Sequence, residues 1–207
     1  MPSTRSFAAS RRSVVKVVAE TERLRLREWE PEDEQAFYNI MNQPAVMRHL
    51  GGVQTPEGWK AGFERLRSYQ RDWGHTFWIV DDRASHEIQG FCGLKRVNTP
   101  GAEKLAGVPE IGWRLRESAW GKGVAKEAAI AALDLGFGQF GYDRIIAMTI
   151  PPNEESQGLM KRIGMTRRED LDFIDQRFGP EVNPQIVYMI GASEWPAARE
   201  KAISIRR

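Results

Sequence analysis

Residues 109–137, PEIGWRLRESAWGKGVAKEAAIAALDLGF, pass from an alternating segment through a glycine turn into a run of helix formers, and this stretch restricts the fold most tightly. Ile111, Trp113 and Leu115 fall on one side and Glu110, Gly112 and Arg114 on the other, the period-2 pattern of a half-buried strand. Pro109 fits only near its start. After the polar link 116–118 come Trp120, Gly121, Lys122, Gly123, Val124 and Ala125, then a helix predicted to reach about residue 137. Val124, Ala128, Ala131 and Leu135 recur at helical spacing, so one face of that helix packs inward. The strand therefore delivers a glycine turn onto a helix N-terminus.

Such a turn leaves the first helical N–H groups without intrahelical partners, and the helix dipole adds roughly half a positive charge there. An anion is welcome at that point, and Gly121 and Gly123 remove side chains that would hold phosphate oxygens off the backbone. A tight connection that needs glycine only for its dihedrals satisfies the same spacing. Two nucleotide loops are excluded by inspection. Gly121-Lys122 is followed by Gly123 rather than Ser or Thr, so this is no Walker A loop. Lys126 occupies the place of the third glycine of GxGxxG, which removes the Rossmann fingerprint.

The rest of the chain narrows the classes of function. No apolar run reaches the length of a membrane span. Cys92 is the single cysteine, so no internal disulfide forms, and its place in GFCGL marks it as a small buried hydrophobe rather than a nucleophile. His49, His75 and His86 show no paired ligand spacing, and no metal is expected. The formal net charge is +2, yet residues 1–19 hold Arg5, Arg11, Arg12 and Lys16 with no acid, which leaves the body net acidic. A nucleic-acid partner is therefore not expected. The Ser- and Arg-rich composition of 1–19 is that of a transit peptide, and equally of an untethered tail.

In chain order, residues 23–27 alternate Arg and Leu and predict a strand whose leucine face is buried. Pro31 and acidic neighbours open a helix with Ala36, Phe37, Ile40 and Met41 inward. A short helical piece over 46–50 precedes a second helix over 56–72 that carries Trp59, Phe63 and Leu66. Residues 76–80 and 89–97 form a predicted hairpin, and 98–108 a flexible loop. After the long helix come a strand over 144–150, a helix over 153–163 stopped by Gly164, parts of an irregular strand at 165–168 and 174–177, a strand over 185–190 and a short terminal helix. The order is α+β with sequential antiparallel neighbours. The division expected is a basic tail over 1–19, one domain over 20–192 and a helical appendage over 193–207.

The segment WGKGVA resembles the Q/R-x-x-G-x-G/A coenzyme A motif of the GCN5-related N-acetyltransferase (GNAT) superfamily. EIGWRL, WGKGVAKEA and, about thirty residues on, PNEESQGLMKRIGM are similar to its RimJ/RimL-like branch, in the right order and over roughly residues 21–190. Trp120 stands where the superfamily has Gln or Arg, although Trp is usual in this branch. The resemblance implies a mixed, mostly antiparallel central sheet flanked by helices, with two strands splayed apart for the pantetheine arm of acetyl-CoA. Carried onto this chain, Ile111, Trp113, Arg114 and Leu115 belong to the strand that supplies backbone partners, and Gly121, Lys122, Gly123, Val124 and Ala125 cradle the pyrophosphate.

The implied chemistry is direct attack of a primary amine on the thioester of acetyl-CoA. An alkylammonium of pKa about 10.4 needs help to lose its proton at neutral pH. Glu110 matches the Glu of EIG and is the expected base, an exposed strand-end carboxylate being the plainer account of it. Asn153 is expected on the pantetheine arm and Ser156 near the sulfur as proton donor; the two also suit an N-cap and first turn. Met160 replaces a tyrosine that many relatives use. A backbone N–H near Trp113 is the expected oxyanion donor. Lys122 is assigned to the site by motif position, while Lys126 and Arg116 suit either phosphates or a solvated helix end. The run Asp170-Leu171-Asp172 suits either a cationic amine or solvent. The partner expected is a protein N-terminus or a small-molecule amine, and a homodimer is compatible with this reading. A noncatalytic acyl-CoA-binding module is the alternative. The cytoplasm is the expected location, with organellar import through the tail as its alternative.

Overall fold

The computed structural model describes residues 15–205. Most of the expected basic tail lies outside the described residues, but its last part does not. Val17–Glu20 form an edge strand, β1, antiparallel to β2 (Leu24–Arg27), so the folded domain begins before residue 20.

Eight strands form one sheet in the order β1-β2-β3-β4-β5-β6-β8-β7, with β3 at Phe77–Asp82, β4 at Ile88–Arg96, β5 at Pro109–Leu115, β6 at Arg144–Thr149, β7 at Thr166–Arg167 and β8 at Ile186–Gly191. Neighbours are antiparallel except β5 and β6, whose parallel pairing is confined to Glu110 opposite Ile146. Two apolar faces are thus required, and the strand alternation supplies both. On one face α4 (Val124–Asp134), α5 (Glu154–Arg162) and α6 (Trp195–Ser204) cover Leu24, Leu26, Ile111 and Leu115. On the other, α1 (Asp33–Met41), the one-turn α2 (Pro44–Met47) and α3 (Pro56–Trp73) bring Phe37, Met41, Val46 and Trp59 onto Phe77, Ile79 and Phe91. Gly112 faces this second cluster, and a Cβ there would lie 2.7 Å from the Phe77 ring, so a side chain at that position would push the ring away. Among the described residues no helix is long and apolar enough to cross a membrane.

Several expectations change once contacts are visible. Arg27, predicted to point outward, is buried, because it meets Asp33 at the start of α1 and Asp81 on β3. Burial opposes its charge, but the hydrogen bonds and charges of the two aspartates hold its pKa above the ordinary arginine range. Ala36 is exposed. Loop 98–108 is anchored rather than loose: Ala102 and Leu105 are buried beside Ile146 and Val187. Residues 174–177 form no strand, since buried Asp175 bends the backbone by accepting from the Arg177 N–H at 3.1 Å. The long helix ends at Asp134 and closes with a π turn, Leu135–Gln139. The terminal α6 is docked on α4: Trp195 Nε1 donates to Asp134 at 2.9 Å and Ala202 is fully buried. Cys92 is buried, and desolvation drives its thiol pKa up, which suits an inert core residue.

Candidate functional site

The glycine turn reaches α4 with both glycines in the left-handed region, Gly121 at φ 70° and Gly123 at φ 77°. Gly123 occupies the N-cap position, and no side chain caps the first turn of α4. The first N–H groups of the helix therefore lack the partner that Ser, Thr, Asp or Asn would provide. Arg23, read from the sequence only as a strand residue, braces the turn. Its Nη1 donates to the Lys122 carbonyl at 2.9 Å and its Nε to Glu127 Oε2 at 2.7 Å, while Thr21 Oγ1 donates to Glu127 Oε1 at 2.5 Å. Burial works against the Glu127 charge, but these hydrogen bonds win and hold its pKa below the ordinary carboxylate range. The only acidic group of the α4 first turn is thereby occupied by protein. Trp120 is half-exposed and donates from Nε1 to the Leu115 carbonyl at 2.9 Å, which folds the turn back on the end of β5.

Beyond Glu110, β5 pairs with β4 only, so residues 111–115 keep one backbone edge without a strand partner. A cleft of about 1320 Å³ runs along that end. Trp113, Arg114, Leu115, the cradle Gly121, Lys122, Gly123, Val124 and Ala125, and Asn153 and Ser156 of the α5 start all line it. A second cavity of about 340 Å³ opens on the aromatic face of the sheet, and Glu110 and Ile111 line that one instead. The two spaces share Trp113, Arg114, Asn153 and Ser156. They meet where β5 and β6 part.

Glu110 is not the exposed strand-end carboxylate that the plainer account required. Its side chain is 9% exposed, and its Oε2 accepts from Lys95 Nζ, the residue directly opposite it on β4. Oε1 has no protein donor among the described residues, and Glu110 lines the cavity. Asn153 caps α5, its Oδ1 accepting from the Ser156 N–H at 3.3 Å, and the Ser156 hydroxyl has no protein partner among the described residues. Of the neighbouring cations, Lys126 is committed to the Ala202 and Ile205 carbonyls, at 3.1 and 2.5 Å, and Arg116 to the Ile88 carbonyl and Glu87, at 3.5 and 3.7 Å. Lys126 still lines the cleft, but its ammonium is bound by those carbonyls, Arg116 does not line it, and the Lys122 side chain has no protein partner among the described residues. The acidic run is also engaged: Asp172 binds Arg167, Asp170 binds Arg168 at 2.7 Å, and neither aspartate lines either space.

The sequence reading missed Lys95, Arg23 and His49. Lys95 becomes visible only with the β4–β5 register, and Arg23 only when β2 is placed beside the turn. His49 borders both spaces; burial and the Arg48 cation, whose Nε donates to His49 Nε2 at 3.0 Å, lower its pKa.

Residues 23–166 match the family described as "Acetyltransferase (GNAT) domain". The chain is similar to the uncharacterized N-acetyltransferase YnaD of Bacillus subtilis (strain 168), 33% identical over 148 residues, which span 71% of this chain and 81% of that protein. Among solved structures it is similar to an acetyltransferase (GNAT family) from Bacillus anthracis, with 26% identity, a TM-score of 0.66 and coverage of 87% of this chain and 99% of the other. A ribosomal-protein-S5-alanine acetyltransferase from Vibrio fischeri shares the fold at 21% identity and a TM-score of 0.63, over 88% of this chain and 99% of that one.

Proposed function

Because the chain belongs to the GNAT acetyltransferase family and is an acetyl-CoA-dependent N-acetyltransferase, we propose that it acetylates a primary amine by direct attack in a ternary complex, as a member of the RimJ/RimL-like branch. The observation that carries this reading is the meeting of the cleft and the cavity at Trp113, Arg114, Asn153 and Ser156. A thioester entering along the cleft and an amine entering from the cavity come together there without either crossing the sheet.

Each candidate residue then has a task. The uncapped N-terminus of α4, with Gly121, Gly123, Val124 and Ala125, receives the pyrophosphate, and Lys122 adds a cation. The free edge of residues 111–115 pairs with the pantetheine amides as an added strand would. Glu110 takes a proton from the ammonium through Oε1 while Lys95 Nζ, bound to Oε2, holds the carboxylate in place. The amine nitrogen bonds to the acetyl carbonyl carbon, a backbone N–H near Trp113 holds the resulting oxyanion, and the C–S bond breaks as the thiolate takes a proton from Ser156, whose oxygen regains one from the second proton that the nitrogen gives up on becoming an amide. Asn153 positions the α5 start against the pantetheine arm. The acceptor is a small-molecule amine or a protein N-terminus, the latter being supported by what the Vibrio fischeri neighbour's name says of that enzyme.

The test is thiol release from acetyl-CoA against a panel of small amines, peptides and ribosomal proteins. Release that depends on the amine, with intersecting rather than parallel double-reciprocal lines, is the expected result. Parallel lines would point to an acetyl-enzyme and overturn direct attack.

The cradle is tested separately by Gly123→Glu. The added side chain must adopt φ 77°, its Cβ would lie 3.5 Å from Arg23 Nη2, and its carboxylate would occupy the anion position. Calorimetry should show CoA binding weakened about tenfold or more, roughly 1.4 kcal/mol. Equal affinity would remove the pyrophosphate from this turn.

A further inference from the structure

The acceptor-side cavity is more cationic than amine binding alone requires. Four cations line it, Arg65, Lys95, Arg114 and Arg177, against two carboxylates, Glu110 and Asp175. Lys95 is engaged by Glu110, and Arg177 binds Asp175 through two hydrogen bonds, Nε to Oδ1 at 2.9 Å and Nη2 to Oδ2 at 2.6 Å. Arg65 and Arg114 have no carboxylate partner among the described residues.

Arg114 is the more constrained of the two. Its guanidinium carbon sits 5.3 Å from the centre of the Phe91 ring, its Nη1 lies 3.5 Å from Met47 Sδ, and its Nε is enclosed without any acceptor. Desolvation with no anion to offset it pulls the pKa down to about 10, so the group is still charged at neutral pH. Arg114 as a whole is partly buried, but its Nε is enclosed and unpaired beside an aromatic ring and a thioether, an incomplete arrangement, since burial of a charged group is costly until it is paired. What completes it is an oxyanion, because the guanidinium fork matches carboxylate or phosphate oxygens two at a time. The cavity, at about 340 Å³, has room for a small molecule.

We propose that the acceptor is a small amine that also carries a carboxylate or phosphate, the anion being held by Arg114 with Arg65 and the amino group directed toward Glu110. This rests on the assignment of the cavity to the acceptor. The acidic run once suited to drawing in a cationic amine is engaged by arginines elsewhere, so the selectivity of the cavity is set by its unpaired cations.

Matched probes test it: phenylalanine against phenylalaninamide and phenethylamine for the carboxylate, phosphoethanolamine against ethanolamine for the phosphate. The wild type should favour the anionic member of at least one set by about tenfold or more in kcat/KM. Arg114→Gln should bring that ratio close to one, mainly through KM, Arg114→Lys should restore part of it, and Arg65→Gln should reduce it. Binding of the product-like N-acetylphenylalanine and of phosphoethanolamine, followed by calorimetry, gives a readout independent of turnover. At least one should bind the wild type about tenfold more tightly than Arg114→Gln. Equal preference for neutral amines, or a ratio and affinities unchanged in Arg114→Gln, would overturn the proposal. Arg114-dependent binding without turnover would instead uphold it and count against the catalytic assignment.

Discussion

Glu110→Gln is expected to lower kcat for acetyl transfer by about 10²–10⁴-fold, the usual worth of a positioned general base, with little change in the affinity for CoA. The substitution is nearly isosteric and leaves Lys95 in place across the β4–β5 ladder. What it removes is the proposed proton acceptor at Oε1, the oxygen without a protein donor when Oε2 binds Lys95 Nζ. With the base gone, the reaction depends on the small fraction of amine already deprotonated in solution. The rate of the variant should therefore rise about tenfold per pH unit toward the pKa of the amine, near 10.4 for an alkylammonium. Steady-state rates across pH, beside calorimetric CoA titrations, separate this from damage to the cleft. An unchanged kcat with an unchanged profile would assign proton removal to water or to another group.

Arg27→Ala should be the most damaging substitution away from the site, with a loss of about 3–5 kcal/mol of folding stability. Its side chain is 8% exposed, and its Nη1 and Nη2 bind Asp33 at 2.7 and 2.8 Å while Nε binds Asp81 at 2.6 Å. Asp33 also accepts the Glu30 N–H at 2.7 Å, which fixes the entry into α1, so one guanidinium joins β2, β3 and that helix. Truncation leaves Asp33 buried without its cation and Asp81 with Arg25 alone, at 2.9 Å. A fall in the urea midpoint at unchanged slope is the expected signature. Replacing all three partners together, Arg27→Leu with Asp33→Asn and Asp81→Asn, should recover part of the loss, because the penalty lies mainly in stranded charge. A loss below about 1 kcal/mol in Arg27→Ala would show that water reaches the aspartates and that the triad is not enclosed.

The opposite fates of the arginines in 23–27 show why local pattern stopped short. All three occupy the same phase of the alternation, yet Arg23 braces the glycine turn, Arg25 is partly buried beside Asp81 and Arg27 is enclosed. Phase says which face a residue joins, not whether that face is later covered. Glu110 was legible as a strand residue, but its partner lay across a hairpin whose register depends on loop 98–108. The glycines and proline of that loop predict flexibility and hide how Ala102 and Leu105 reach a core made by β6 and β8.

By itself the sequence determined the order of the elements from residue 23 onward apart from 174–177, the two-faced β5 and the glycine turn at the N-terminus of α4, because backbone dihedrals and side-chain periodicity are local properties of the chain. The family resemblance carried by EIGWRL, WGKGVAKEA and PNEESQGLMKRIGM brought the glycine turn and the α5 start into one reading. Only the tertiary structure decided where β5 and β6 part, that Lys95 meets Glu110, and that Arg114 stands in the cavity without a carboxylate. These follow from burial and long-range charge pairing, which no segment carries alone. The glycine turn could suggest an anion at one end of the cleft; the arginine without a carboxylate partner, where cleft and cavity meet, became visible only after the chain had closed around it.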